Sequence, residues 1–185
     1  KMLSPYCTIY QQASVTAIVQ NDTGVVVHMA HQGTDYTITA PVIIGADGDK
    51  SIVRKKFIGD NEVQKTYAVG LRAYYEGVSG LHSDNFIELH FLEEMLPGYL
   101  WIFPLPNGMA NVGVGILSEV IRDKKINLRE QMLSAIKNNP RIAPRFANAR
   151  LTDKIQGWGL PLAMDRQPLS GNNFMLTGDA ACLID

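Results

Sequence analysis

Two short stretches of this sequence join an apolar run to glycine and aspartate. That combination lets a backbone approach a polar ligand while a carboxylate receives its hydroxyls. The first is Val42-Ile43-Ile44-Gly45-Ala46-Asp47-Gly48-Asp49, followed by a basic segment that carries Ser51 and Arg54. Glycine has no Cβ to hold a ligand away, and a helix start just beyond it offers N–H groups to an anion. Asp47 can accept hydrogen bonds from the hydroxyls of a sugar or sugar alcohol. A strand-to-helix turn capped by Asp47 or Asp49 explains the same residues without a ligand. The second stretch, Asn173-Phe174-Met175-Leu176-Thr177-Gly178-Asp179-Ala180-Ala181, has the same grammar. Two such elements far apart in the chain favour one shared site over two unrelated caps.

A third stretch, Pro97-Gly98-Tyr99-Leu100-Trp101-Ile102-Phe103-Pro104, alternates aromatic and aliphatic residues. With the strand period of two, Tyr99, Trp101 and Phe103 share one face. They form a wall suited to an apolar substrate or a flat ring, or a sheet face packed on a core. Gly113-Val114-Gly115 imitates the start of a dinucleotide fingerprint. It lacks the third glycine, an amphipathic helix directly after it, and an acidic residue about 20 positions on. Its glycines fit a strand closely approached by another backbone or a ligand. His28, His31, His82 and His90 are scattered without metal-ligand spacing, so no metal site is expected. No GxSxG element is present for a hydrolytic triad.

These residues need elements to hold them. Ser14 to Gln20, Val25 to Met29 and Tyr36 to Thr39 predict a three-stranded antiparallel meander, with turns at 21–24 and 31–35. Tyr6 to Gln11 is also β-rich. Val42-Ile43-Ile44 reads as a strand buried on both faces, as in a parallel sheet. A short helix then starts near Asp49 or Ser51. Longer strands follow over Thr66 to Glu76, Asn85 to Phe91, Gly98 to Leu105 and Ala110 to Leu117, with a hairpin signal at Asn107-Gly108. The clearest helix is Leu128 to Asn138, with Asn127 and Glu130 as a capping box and Leu128, Met132, Ala135 and Ile136 on one face. Pro140 to Ala149 predicts a further short helix. Leu151 to Ile155 and Phe174 to Thr177 predict the last strands.

Composition bounds the rest. With 185 residues, 46% hydrophobic and 19% charged, the chain is an ordinary globular sequence of one domain or two small ones. A net charge of −1 supplies no field for nucleic acid. No apolar run approaches the roughly 18–20 residues that span a bilayer. Two cysteines, Cys7 and Cys182, are too few for a disulfide framework and suggest a reducing, cytoplasmic compartment. Segment 122–154 holds nine basic against three acidic residues. This is either a solvated helix face or a surface for peripheral contact with anionic lipid head groups or a phosphorylated substrate.

Gly45-Ala46-Asp47-Gly48 with Ser51 and Arg54 resembles the "DG" motif of flavoprotein hydroxylases and their relatives. Leu176-Thr177-Gly178-Asp179-Ala180-Ala181 resembles their "GD" motif. Tyr99-Leu100-Trp101-Ile102-Phe103-Pro104 followed by Asn111-Val112-Gly113-Val114-Gly115 resembles the geranylgeranyl reductase family, whose members saturate prenyl double bonds with FAD. The resemblance spans nearly the whole chain. It implies a mixed α+β and α/β architecture, with incomplete FAD-binding domain elements over 1–59 and 171–185. Residues 60–170 would form a substrate domain built on a mainly antiparallel β-sheet with flanking helices.

By position, the resemblance places Asp47 near the FAD diphosphate and nicotinamide cofactor, and Asp179 on the FAD ribityl chain. Gly48, Ser51, Arg54, Gly178 and Ala180 complete the expected cofactor set. Tyr99, Trp101 and Phe103, with Gly113 and Gly115, are expected to line a substrate cavity beside the flavin ring. Reduced FAD would act on an apolar prenyl-type substrate, with NAD(P)H or another reductant as electron donor. The proton donor is unassigned; Tyr99 is a candidate by position only. Relatives begin with a βαβ unit bearing GxGxxG and continue past the "GD" motif, and many carry glycine where this chain has Cys182. The chain is therefore expected to be the middle of a longer flavoprotein, inactive alone and not retaining FAD alone. Two other functions fit the residues: an FAD-dependent aromatic monooxygenase or halogenase on the same scaffold, and a stand-alone β domain that binds a lipid or protein.

Overall fold

The computed structural model describes residues 6–59, 67–163 and 168–184. The chain divides into two compact units, one formed by Lys1–Glu62 with Asp165–Ile184 and the other centred on Val63–Met164. The strands are β1 (Ala13–Asn21), β2 (Gly24–His31), β3 (Thr34–Ala40), β4 (Ile43–Gly45), β5 (Tyr67–Glu76), β6 (Glu88–His90), β7 (Tyr99–Leu105), β8 (Met109–Leu117), β9 (Arg150–Leu151), β10 (Gln156–Pro161), β11 (Ser170–Gly171) and β12 (Phe174–Leu176). The α-helices are α1 (Ile52–Phe57), α2 (Ser118–Lys124) and α3 (Leu128–Asn138). None of the described helices is long and apolar enough to cross a membrane.

In the first unit, β1, β2 and β3 form the expected antiparallel meander. Asn21 Oδ1 accepts from the Thr23 amide and hydroxyl, both at 3.0 Å, and so folds the first turn. The second loop is only two residues, Gln32 and Gly33, both at positive φ, which matches strand twist. Residues 7–10 carry no strand, in contrast to their β-rich composition.

A second small sheet has the order β11-β12-β4, with β12 and β4 parallel. Here the structure corrects the expectation of a doubly buried strand: Ile44 is 64% exposed and its β12 neighbour Met175 is 50% exposed. Helix α1 covers one face only. Val53, Phe174, Leu176, Ala181 and Ile18 make the core there, with Phe57 stacked on Phe174 at 4.6 Å. Gly45 is required by that packing, because a Cβ would stand 2.7 Å from the Cβ of Val53.

The second unit is a mainly antiparallel sheet of order β10-β5-β8-β7-β6, with the two-residue β9 beside β5. One face carries the core. Leu100 and Ile102 of β7 and Val112 and Val114 of β8 are fully covered, with Leu128, Met132, Ala135 and Ile136 of α3 in the same core cluster. Asn127 caps α3 by accepting from the Glu130 amide at 3.2 Å. The β7–β8 turn uses Asn107 and Gly108, both at positive φ. Strand β10 and helix α2 were not expected from the sequence. The helix expected over Pro140 to Ala149 is a 3-10 turn at Ala143–Phe146.

Candidate functional site

The first unit brings together the two Gly-Asp stretches. Strands β4 and β12 run parallel with Gly45 opposite Leu176, and the Thr177 amide donates to the Gly45 carbonyl at 2.9 Å. Both chains therefore leave the sheet side by side at the carboxyl ends of parallel strands, where α/β sheets bind ligands.

Arg54 fastens the two exits. Its Nη1 donates to the carbonyls of Asp179 at 3.2 Å and Ala180 at 3.0 Å, and its Nη2 donates to the carbonyl of Asp49. The side chain is only 3% exposed. A buried cation is tolerable when carbonyl dipoles solvate it.

Asp47 spends both carboxylate oxygens locally. Oδ1 accepts from the Ser51 hydroxyl at 2.5 Å, and Oδ2 accepts from the amides of Ile52 at 2.7 Å and Val53 at 3.3 Å. Ser51, 1% exposed, is the N-cap and accepts from the Arg54 amide at 2.9 Å. The first three amides of α1 thus have intramolecular acceptors. This differs from the expectation of a helix start open to an anion: the capping residues precede the helix and outcompete any solvent-side acceptor. Ser51 and Arg54 hold the turn, and Ala180 is fully buried with its carbonyl on Arg54.

Three expected cofactor residues remain open. Gly48 at φ +80° and Gly178 at φ +59° face clear space, with no atom within 4 Å of a Cβ built on either. The half-exposed Asp179 carboxylate has no hydrogen-bond partner among the described residues. Such a carboxylate beside open backbone suits a polyol. Cys182, buried at φ +54°, closes the 3-10 turn over Gly178–Ala181 in the left-handed region that glycine occupies at least cost.

The second unit holds the aromatic strand. Tyr99, Trp101 and Phe103 share the sheet face opposite the core, with ring centroids 6.2 and 6.0 Å apart. The indole of Trp101 lies over β8. A Cβ on Gly113 would meet Trp101 Cζ2 at 2.2 Å, whereas one on Gly115 would come only to 3.6 Å from Cζ3 of the same ring. Gly113 therefore seats the ring, and Trp101 Nε1 donates to Asn111 Oδ1 at 3.0 Å to fix its orientation.

The tip of this ring looks over Gly70 toward β10. A cavity of about 320 Å³ opens there, lined by Gly70, Leu71, Arg72, Trp101, Trp158 and Leu160. Sequence reasoning missed Arg72, Trp158 and Leu160. The available signal was the small–large alternation Gly157-Trp158-Gly159-Leu160, which puts Trp158 and Leu160 on one strand face. No group of three metal-ligating side chains occurs among the described residues.

The first unit thus pairs its two Gly-Asp turns at parallel strand ends, and the second presents an aromatic sheet face. The sequence profile of the family described as "FAD binding domain" matches residues 2–184, and the chain belongs to that family. It is 31% identical over 165 residues to the digeranylgeranylglycerophospholipid reductase of Methanosarcina mazei, covering 89% of this chain and 39% of the relative. It is 32% identical over 155 residues to the menaquinone reductase of Mycobacterium tuberculosis, covering 77% of this chain and 35% of the relative. Thus it spans well under half of these relatives' length.

The crystal structure of a geranylgeranyl bacteriochlorophyll reductase-like protein from Thermoplasma acidophilum superposes with TM-score 0.76 at 21% identity, covering 94% of this chain and 42% of that one. A flavin-dependent brominase superposes with TM-score 0.72 at 18% identity, covering 92% and 43%. Both show a shared fold.

Proposed function

We propose that this chain belongs to an FAD-dependent reductase acting on double bonds of an isoprenoid, geranylgeranyl-type substrate. The observation that carries the reading is the apolar cavity between Trp101 and Trp158 in a chain of the FAD-binding family. The names of its relatives support the substrate class. FAD, when bound and reduced by NAD(P)H or another donor, supplies hydride; the protein supplies position and an apolar surround. Asp179 accepts from ribityl hydroxyls, while Gly48 and Gly178 leave room for close approach. Asp47, Ser51 and Arg54 act through the shape of the turn. Trp101, held by Asn111 and Gly113, and Trp158 exclude water and align a flat alkene segment.

The test is anaerobic incubation of the protein, at the length of its relatives, with dithionite-reduced FAD and a geranylgeranyl lipid. Mass spectrometry should find two hydrogens gained per reduced double bond. Product that forms only with oxygen and NAD(P)H favours the monooxygenase or halogenase alternative.

The basic segment supports peripheral contact with anionic lipid. Arg122, Arg145 and Arg150 pair with Asp123, Glu88 and Glu76, whereas Lys124, Lys125, Arg129, Lys137, Arg141 and Lys154 have no acidic partner among the described residues. Salt-sensitive cosedimentation with phosphatidylglycerol vesicles, and none with phosphatidylcholine, is expected.

A further inference from the structure

The structure assigns Arg72 as the reader of an oxyanion head group, phosphate or carboxylate, on an amphiphile whose tail enters the Trp101–Trp158 cavity. This rests on the reading of that cavity as an apolar substrate site and adds a polar end to it. Among the described residues, Arg72 is the only charged one lining the cavity. The sheet register places it in one row with Trp101, Gly113 and Gln156. At about 4.8 Å per strand, Trp101 and Arg72 stand roughly 10 Å apart at the backbone. Gly113 between them seats the Trp101 indole, which reaches from β7 toward Arg72.

The partners of Arg72 are all neutral. Nη1 donates to the Tyr74 hydroxyl at 3.0 Å, Nη2 donates to Gln156 Oε1 at 3.2 Å, and the guanidinium carbon stands 5.6 Å from the Tyr74 ring centroid. No carboxylate pairs with it among the described residues. Arg145 and Arg150, by contrast, each hold a glutamate. Guanidinium has five N–H donors, so two bonds leave others available. Tyr74 and Gln156 fix the fork without neutralising it, which lowers the ordering cost of binding an anion. An oxyanion matches that fork in two-point geometry. A cavity near the lower end of the ligand-site range takes one stretch of a tail; the exposed Leu89 and Tyr99 of the same sheet extend the apolar track.

Trp101 and Trp158 are the only tryptophans in the chain, so intrinsic emission reports on this cavity alone. The 185-residue chain is titrated with geranylgeraniol, geranylgeranyl phosphate, geranylgeranoic acid and inorganic phosphate, each below its aggregation limit. The wild type is compared with R72Q and R72K, after far-UV circular dichroism shows unchanged folding of these exposed-site variants. Charge-assisted hydrogen bonds to one head group predict that the two anionic lipids bind about tenfold more tightly than the alcohol. R72Q should erase that preference, and R72K should keep part of it. Inorganic phosphate should not perturb emission.

Equal affinity for alcohol and anions in the wild type, or an anion preference that survives R72Q, overturns the role of Arg72 and leaves the apolar site standing. Inorganic phosphate binding as tightly as the lipids would make this a free-anion site and overturns the amphiphile. If no prenyl compound changes the emission, the cavity reading fails and takes this inference with it.

Discussion

Arg54 and Asp179 lie 125 positions apart, and the guanidinium of the first donates to the backbone carbonyl of the second at 3.2 Å. The same side chain also holds Ala180 and Asp49. Arg54→Met keeps the apolar stem but strands three carbonyls near a buried site. Each unsatisfied group costs about 1–3 kcal/mol, so a loss of about 3 kcal/mol or more is expected in urea denaturation. Hydrogen exchange should quicken in peptides covering 43–58 and 169–183 and stay unchanged in 99–117. An unaltered midpoint would mean the clamp bears no weight.

Gly113 and Gly115 make a paired test of the Trp101 seat. Gly113→Ala drives a methyl into the indole and also to 2.3 Å from the Leu71 carbonyl. Overpacking of this kind costs about 1–3 kcal/mol, and displacement of the ring should shift tryptophan emission. Gly115→Ala makes only ordinary contact with the ring, so its melting point and emission should match the wild type.

Much of this was legible because local rules and tertiary structure agree. The meander follows β-branched alternation and tight turns. Helix α3 follows its Asn127 cap and one apolar face, the same four residues that are buried. That the two Gly-Asp strand ends meet followed from their like spelling and a family resemblance; that β4 and β12 pair directly in parallel did not. Other features were not legible. Ile43-Ile44 cannot announce that helix α1 covers one face only. Trp158 sits on a strand rich in glycine, which weakens any β signal. The occupied amides of α1 depend on where Asp47 points, which the Gly-Asp spelling leaves open. The exposed face of Arg72 depends on register with β8 and β10, set by pairing across the chain.

Acid should act through Glu88. Its carboxylate receives Arg145 Nη1 at 2.5 Å and Nη2 at 2.8 Å, with His90 Nε2 at 3.2 Å. The Arg145 hydrogen bonds hold its pKa below the ordinary 4.5; burial opposes them, and the charges of Arg145 and His90 add to the lowering. A depressed folded pKa means that the unfolded chain binds the proton first as pH falls. The stabilisation is therefore complete above the unfolded value and is lost as pH drops through the folded one. Glu88→Gln should flatten the dependence of the urea midpoint on pH below about 4.5, with little change in slope near neutrality. A slope identical to the wild type would remove Glu88 as the acid-sensitive group.

The two cysteines should separate cleanly by reactivity. Cys7 is exposed and Cys182 is buried. Burial pushes the Cys182 thiol above its ordinary value despite the nearby Arg54 charge, and thiolate is the reactive form. Ellman's reagent at neutral pH should label one thiol per chain rapidly and the second only with denaturant. Fast labelling of both in the folded chain would contradict the closed turn at Gly178–Ala181.

Flavin affinity should depend on Asp179 more than on the cap of α1. The amides of Ile52, Val53 and Arg54 already have acceptors, so α1 has none of its first three to give a diphosphate. Of the residues expected to hold FAD, those left open are Asp179, through its carboxylate, and the backbone at Gly48 and Gly178. A few such contacts must offset the entropy of holding a large, flexible ligand. Quenching of flavin fluorescence by the 185-residue chain is therefore expected to give an affinity weaker than submicromolar. Asp179→Ala should weaken it further, by about tenfold for a lost charge-assisted bond. Ser51→Ala should cost about 1 kcal/mol of stability through the lost cap and weaken flavin binding less than Asp179→Ala does. Submicromolar FAD binding that Asp179→Ala does not touch would place the cofactor elsewhere on the chain.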